Sequence, residues 1–308
     1  MKELVIISGK GGTGKTSLTA AFAALSGRHV LCDADVDAAD LHLLLAPQIK
    51  QRTDFIGGSI ASIRPADCSR CGICIEHCRF SAISNDFVID PIDCEGCGVC
   101  VTFCPEEAID FPPQKCGEWY ISDTRFGPMV HARLGIAEEN SGKLVSLIRK
   151  QAREIAEATE SELIITDGPP GIGCPVIASI TGATAVLVIV EPTVSGLHDM
   201  KRVVDLASHF RIPVLICINK YDLNQDMTET IESGARQAGL QIVGRIPFDP
   251  AFTRAMVAGV ALTEYQQASP DLLALINSIW QTITQSEALQ KKQAESILPI
   301  INMQGEHR

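Results

Sequence analysis

Residues 7–17 read ISGKGGTGKTS, a stretch with two lysines where a phosphate-binding loop needs one. The pattern G-x4-G-K-[ST] runs from Gly9 to Thr16. In such a loop the backbone around Gly9, Gly11, Gly12, Thr13, Gly14 and Ser17 cradles phosphates. Lys15 reaches the β- and γ-phosphates, and the Thr16 hydroxyl takes magnesium. The run ELVIIS (3–8) leads into the loop as a strand, and residues 15–26 have helical composition. The loop therefore sits between a strand and a helix, whose first N–H groups point at the phosphates. Lys10 has no part in this pattern.

Outward from the loop, HVLCD (29–33), LIITD (163–167), AVLVIV (185–190), PVLICIN (213–219) and QIVGRIP (241–247) are further buried-strand candidates, with helix-like segments between most of them. Apolar strands alternating with helices predict a doubly wound, mainly parallel α/β sheet that binds ligands at the carboxyl ends of its strands. The 308 residues are 46% hydrophobic and 20% charged, enough for a large core. A formal charge of −11 without a local basic patch argues against nucleic acid. The N-terminus enters a strand at once, without a signal-peptide pattern, and no apolar run is long enough to span a bilayer, so a cytoplasmic protein without stable membrane insertion is expected. In that reducing compartment twelve cysteines suggest metal ligation rather than disulfides.

Eight of those cysteines lie between Cys68 and Cys104, in a segment that repeats itself. CSRCGICIEHCRFSAIS from Cys68 matches CEGCGVCVTFCPEEAID from Cys94, and each half has the spacing C-x2-C-x2-C-x3-C. The spacing suits cubane iron–sulfur clusters, with three ligands in one loop and the fourth cysteine on the other cluster. A structural zinc site needs four ligands, not two interlocked sets of four. Residues 63–116 resemble a bacterial two-cluster ferredoxin, which implies an inserted ferredoxin-like α+β domain. The resemblance assigns Cys68, Cys71, Cys74 and Cys104 to one 4Fe-4S cluster, and Cys94, Cys97, Cys100 and Cys78 to the other. Pro105 follows the second run as in that family, whereas Arg79 stands at the matching place in the first. Pro65 and Pro112-Pro113 bracket the insertion.

The early lysine in GKGGTGKTS resembles the deviant Walker A loop of the MinD, ParA, Mrp and nitrogenase iron-protein class of ATPases. The resemblance covers residues 1–62 and 117–285 and leaves 286–308 as a tail. With the insert, the chain is similar to MinD-superfamily ATPases that contain a ferredoxin domain. The resemblance implies that Lys10 reaches across a two-fold interface to the ATP of a partner subunit, in an ATP-dependent homodimer or a heterodimer with a paralogue. It also implies that Asp35 in DADVD orients the attacking water, with Asp33 near magnesium. Asp167 in DGPPG would hold magnesium, and Gly171 would sense the γ-phosphate. Asn219 would read adenine, with Pro247 as a wall beside the base.

Other features are less specific. The stretch 120–143 is polar and glycine-dotted and reads as a solvated loop running into a helix at Ser141, though Arg125, His131, Arg133 and Lys143 are candidates for a docking or substrate surface. Cys32 and Cys217 read as core packing, and Cys116 as packed or as a spare thiol near the clusters. Cys174 reads either as a packing residue at a helix start or as a thiolate on the switch loop that could bind a shared metal centre. The expected cofactors are ATP, magnesium and two 4Fe-4S clusters. The expected activity is an ATPase that couples a nucleotide-driven dimer switch to electron transfer or to metal-cluster assembly on a protein partner. An iron–sulfur carrier or scaffold, and a MinD- or ParA-like positioning ATPase with redox-sensing clusters, are the alternatives. An amidotransferase would need a glutaminase domain, for which the chain has no room.

Overall fold

The structure, a computed structural model, describes residues 1–135 and 141–290. The end of the polar stretch at 136–140 and the tail from 291 onward, with Pro299, lie outside the described residues. Strand β1 (Lys2–Ser8) runs into the glycine loop, and α1 (Lys15–Leu25) follows it. Next come β2 (His29–Asp33), α2 (Leu41–Leu45) and the long strand β3 (Gln48–Ser59). The cysteine segment holds the short elements β4 (Ser62–Ile63), α3 (Ile73–His77), α4 (Val99–Thr102) and β5 (Ile109–Asp110). The chain returns through β6 (Pro113–Thr124) and β7 (Gly127–Leu134), then α5 (Ser141–Ala158), β8 (Leu163–Pro170) and α6 (Cys174–Ile180). It ends in β9 (Ala185–Val190), α7 (Val194–His209), β10 (Val214–Asn219), α8 (Gln225–Gln237), β11 (Gln241–Ile246), α9 (Pro250–Val257) and α10 (Pro270–Gln285).

The nine-stranded sheet has the order β11-β10-β9-β1-β8-β2-β7-β6-β3. From β11 to β7 every neighbouring pair is parallel, and β6 then pairs antiparallel with both β7 and β3. The central strands are covered on both faces, which explains their unbroken apolar runs. Leu4 and Ile6 point to the face covered by α1 and α10, whereas Val5 and Ile7 point to the face covered by α6, α7 and α8. β1 lies between β8 and β9, so its carboxyl end opens at the point where the winding reverses. No described helix is long and apolar enough to cross a membrane.

The stretch from 120 to 134, expected as a loop, is instead mostly β-structure. Its strands carry polar residues on one face and Trp119, Ile121, Val130 and Ala132 on the other, packed against α5. One buried face among polar neighbours suffices for an antiparallel edge ribbon. Gly127 closes the turn at φ +145, where a Cβ would lie 2.9 Å from the His29 carbonyl oxygen. The helix expected at Ser141 is present.

The ribbon also fixes where the cysteine segment sits. Gly117 pairs with Leu134 at the carboxyl end of β7, and Ser59 pairs with Pro113 further out along the ribbon. The cysteine segment thus leaves the sheet at the same edge as the glycine loop. It has its own small core, built on Ala61, Cys74, Ile83 and Ile109. Cys32, Cys116 and Cys217 are packed in the main core, and burial pushes the Cys217 thiol up to about 12.

His131 on β7 is 7% exposed, and burial first, then the neighbouring His42, depresses its pKa to about 4. Its folded pKa thus lies below the ordinary histidine value of about 6.5. The stabilisation it gives as a neutral ring is complete above that value and is lost as pH falls toward the folded pKa. Urea denaturation across this window should show the wild type losing stability on acidification more steeply than His131→Asn. Equal slopes would show that His131 does not resist protonation.

Candidate functional site

The glycine loop turns sharply after Ser8, with Gly12 at φ +80 and Gly14 at φ +87. Only glycine adopts these angles without strain. A Cβ on Gly14 would also lie 2.6 Å from Asn219 Nδ2. Asn219, expected beside the base, here donates through Nδ2 to the Thr13 carbonyl at 2.7 Å and so braces the loop from the end of β10. Pro247 follows Ile246, the register partner of Asn219, at the end of β11. Ser17 is buried in the first turn of α1.

Below the loop four charges meet. The Lys15 ammonium lies 2.9 Å from Asp167 Oδ1 and 3.3 Å from Asp35 Oδ2, with little exposure on any of the three side chains. The Thr16 hydroxyl donates to Asp167 Oδ2 at 2.7 Å, and Thr19 Oγ1 lies 3.0 Å from Asp167 Oδ1. Asp33 is the register partner of Asp167 across β2 and β8, and it accepts the Asp35 and Leu41 N–H groups. Burial works against the Lys15 charge, but Asp167, Asp35 and Asp33 outweigh it and raise its pKa. Burial, followed by repulsion from Asp167, pushes the Asp33 carboxyl well above the usual range. Burial likewise raises Asp35 despite the attraction of Lys15. One lysine facing three carboxylates leaves an excess of acceptors, which is the chemistry of a divalent-cation site. Thr13 Oγ1 is buried without a hydrogen-bond partner, an orphan donor suited to a phosphate oxygen.

Lys10 stands apart from this cluster. Its ammonium lies 3.2 Å from Glu191 Oε2, with the side chain 36% exposed. Lys220 bonds the other oxygen of Glu191 and donates to the Gly12 carbonyl at 3.2 Å. Burial raises the Glu191 carboxyl, but Lys220 and Lys10 together hold it below its ordinary value. Glu191 and Lys220 were not singled out in the sequence, although each directly follows a predicted strand at the ligand-binding edge. Gly171, at φ +91, donates its N–H to the Ser8 carbonyl at 3.0 Å. Cys174 is exposed at the start of α6, whereas Cys116 is 3% exposed.

The eight clustered cysteines fall around two cavities. Cys78, Cys94, Cys97 and Cys100 line one, walled by Ile83 and Phe111. Cys68, Cys71, Cys74 and Cys104 line the other, walled by Ile63 and Phe87. Gly72 and Gly98, at φ +82 and +71, let the chain turn beside the sulfurs, and the N–H groups of Arg70 and Ala108 point at Cys68 and Cys104 Sγ at 3.4 and 3.3 Å. Among the described residues no three His, Cys, Asp or Glu side chains converge closely enough for a single metal ion. Two adjoining sets of four thiols match a pair of multi-atom clusters better than a lone zinc, which takes four ligands in all.

Thr13→Val tests the orphan hydroxyl. It removes a buried donor that bonds nothing in the nucleotide-free protein, so urea stability without nucleotide should be unchanged or higher. ATP affinity should fall by about threefold to tenfold, the worth of one hydrogen bond. A less stable nucleotide-free protein, or unaltered ATP affinity, would contradict this role.

Comparison with known proteins places this geometry. The chain is 38% identical over 226 residues to an uncharacterized protein of Methanocaldococcus jannaschii, covering 72% of this chain and 79% of the relative. A second protein of that organism, named an uncharacterized ATP-binding protein, is 23% identical over 308 residues, covering 96% and 93%. Among solved structures, the cell division ATPase MinD of Pyrococcus furiosus shares the fold with a TM-score of 0.55 at 17% identity, covering 92% of this chain and 98% of that one. The septum site-determining protein MinD of Pyrococcus horikoshii, solved with Mg-ADP, has a TM-score of 0.57 at 14% identity, covering 92% and 96%. The CobQ/CobB/MinD/ParA nucleotide binding domain matches residues 4–262, and the chain belongs to that family, whose MinD- and ParA-type members are P-loop ATPases.

Proposed function

We propose that this protein is an ATPase that couples a nucleotide-driven dimer switch to electron transfer, or to metal-cluster assembly, on a partner protein. One observation carries the reading. Eight cysteine sulfurs, sorted in fours around two cavities, lie in a segment that leaves the sheet at the edge where the glycine loop opens. When bound there, two 4Fe-4S clusters would supply one-electron chemistry.

The chain's own residues do the rest. The loop amides, Thr13 and Lys15 bind the phosphates of ATP, while Thr16 and Asp167, with Asp33 close by, hold magnesium. Thr16 and Asp167 would hold the metal, and Lys15, 2.9 Å from Asp167, is the side chain left to pair with phosphate. Asp35, already 3.3 Å from Lys15, is placed to orient water at the γ-phosphate. In the isolated chain Lys10 is paired with Glu191, so reaching a partner's ATP requires breaking that contact. Lys220 stays behind to satisfy Glu191.

A path for coupling also exists. Asp35 leads through residues 36–40 into α2, whose Leu44 and Leu45 carbonyls accept hydrogen bonds from Arg125 at 2.7 and 2.8 Å. Arg125 lies in the turn between β6 and β7 and is fixed from the other side by Glu264. Arg125 thereby ties the segment that follows Asp35 to the turn of the ribbon, and this contact is the candidate link between the nucleotide site and the cysteines.

Two measurements test the reading. Anaerobically purified protein should hold about eight irons per chain, as two four-iron clusters require, and Cys97→Ser should lose one cluster while ATP binding persists. Zinc without iron would overturn the insert's role. Lys10→Ala should keep ATP affinity within about tenfold of wild type, yet lose ATP-dependent dimerisation in sedimentation and most hydrolysis, whereas Lys15→Ala should lose ATP binding itself. Normal dimerisation and turnover in Lys10→Ala would remove the trans role.

A further inference from the structure

A groove of about 1500 Å³, open to solvent, lies between residues 36–40 and the inner strands of the ribbon. One wall presents Asp37, Asp40 and His42, and the other presents Arg52, Tyr120, His131 and Arg133. None of these residues belongs to the phosphate loop or to the cysteine segment. Three of their rings form a rack. Tyr120 and His131 stack with centroids 4.9 Å apart at 21°, and His131 and His42 lie 6.4 Å apart at 7°. His131 is 7% exposed and bonds Ser122 Oγ through Nε2 at 2.9 Å, while its other ring nitrogen has no partner among the described residues. The charges differ in how far they are satisfied. Arg52 is committed to Glu118 at 2.6 Å. Arg133, Asp37 and Asp40 form no ion pair among the described residues.

We propose that this groove binds a mononucleotide whose base is a flat ring, a flavin or purine monophosphate. One guanidinium opposite two carboxylates, none of them in an ion pair among the described residues, selects a ligand that is anionic at one end and a hydrogen-bond donor at the other. A single phosphate matches Arg133, while sugar hydroxyls and ring N–H groups match Asp37 and Asp40. Between them a flat ring lies against the aromatic rack, where offset stacking is favourable. A triphosphate would bring more negative charge than one arginine balances, with two carboxylates close by. A purely apolar ligand would bury those carboxylates without partners. The ligand would touch the loop two residues after Asp35 as well as the ribbon.

The test titrates flavin mononucleotide and, separately, GMP into the full chain with excess Mg-ADP to fill the phosphate loop, read by flavin fluorescence and by calorimetry. Saturable binding of at least one probe, one per chain, is expected. Arg133→Glu and Tyr120→Leu should each weaken it at least about tenfold, and Tyr120→Phe, which keeps the ring, should restore it. Which probe binds tells flavin from purine. No saturable binding of either probe at millimolar concentration, or equal affinity in Arg133→Glu, Tyr120→Leu and wild type, would overturn the proposal.

Discussion

A buried ammonium among three carboxylates governs this structure. Lys15 is 6% exposed, and its charge is tolerated there only because Asp167 and Asp35 touch it and Asp33 lies just beyond. Each of these groups stands at the carboxyl end of a central parallel strand or just past it, so the register of β1, β2 and β8 is what brings them together. The same register leaves the cluster with more acceptors than cations. A nucleotide with its magnesium would complement that imbalance.

Two sets of contacts adjoin this cluster and share no residues. On one side, Glu191 at the end of β9 holds Lys10 and Lys220 together beside the glycine loop, so the lysine proposed to act on a second subunit is restrained within its own. On the other, the loop after Asp35 passes through α2 to Arg125 and on to the ribbon. Arg125 meets two backbone carbonyls and a carboxylate at once, which makes this corner stiff rather than slack. The cysteine segment sits at the opposite end of that ribbon from Arg125, and Gly96 packs closely enough against the Ser59 carbonyl that no side chain would fit between them.

The phosphate loop and the central strands were legible in the sequence because parallel strands buried on both faces read as unbroken apolar runs. The sorting of the cysteines into two sets of four around separate cavities was legible too, since it follows from a short repeat in the sequence. The edge was not. β3, β6 and β7 mix buried residues such as Phe55 and Trp119 with Arg52, Glu118 and Arg133, and that mixture looks like loop unless the alternation is counted across the whole segment. Two consequences of folding lay beyond any local pattern: the pairing of Lys10 with Glu191, far apart in the chain, and the gathering of Tyr120, His131 and Arg133 opposite Asp37 and Asp40.

The central claim is that the nucleotide site and the cysteine segment are mechanically joined through Arg125. Its most direct test is the electron paramagnetic resonance spectrum of reduced, anaerobic protein, recorded with and without Mg-ATP in wild type and in Arg125→Ala. A spectrum that changes with Mg-ATP in the wild type, and stays fixed in Arg125→Ala while that variant still binds ATP, is the predicted result. Wild-type spectra that are identical with and without Mg-ATP, at saturating nucleotide, would contradict it.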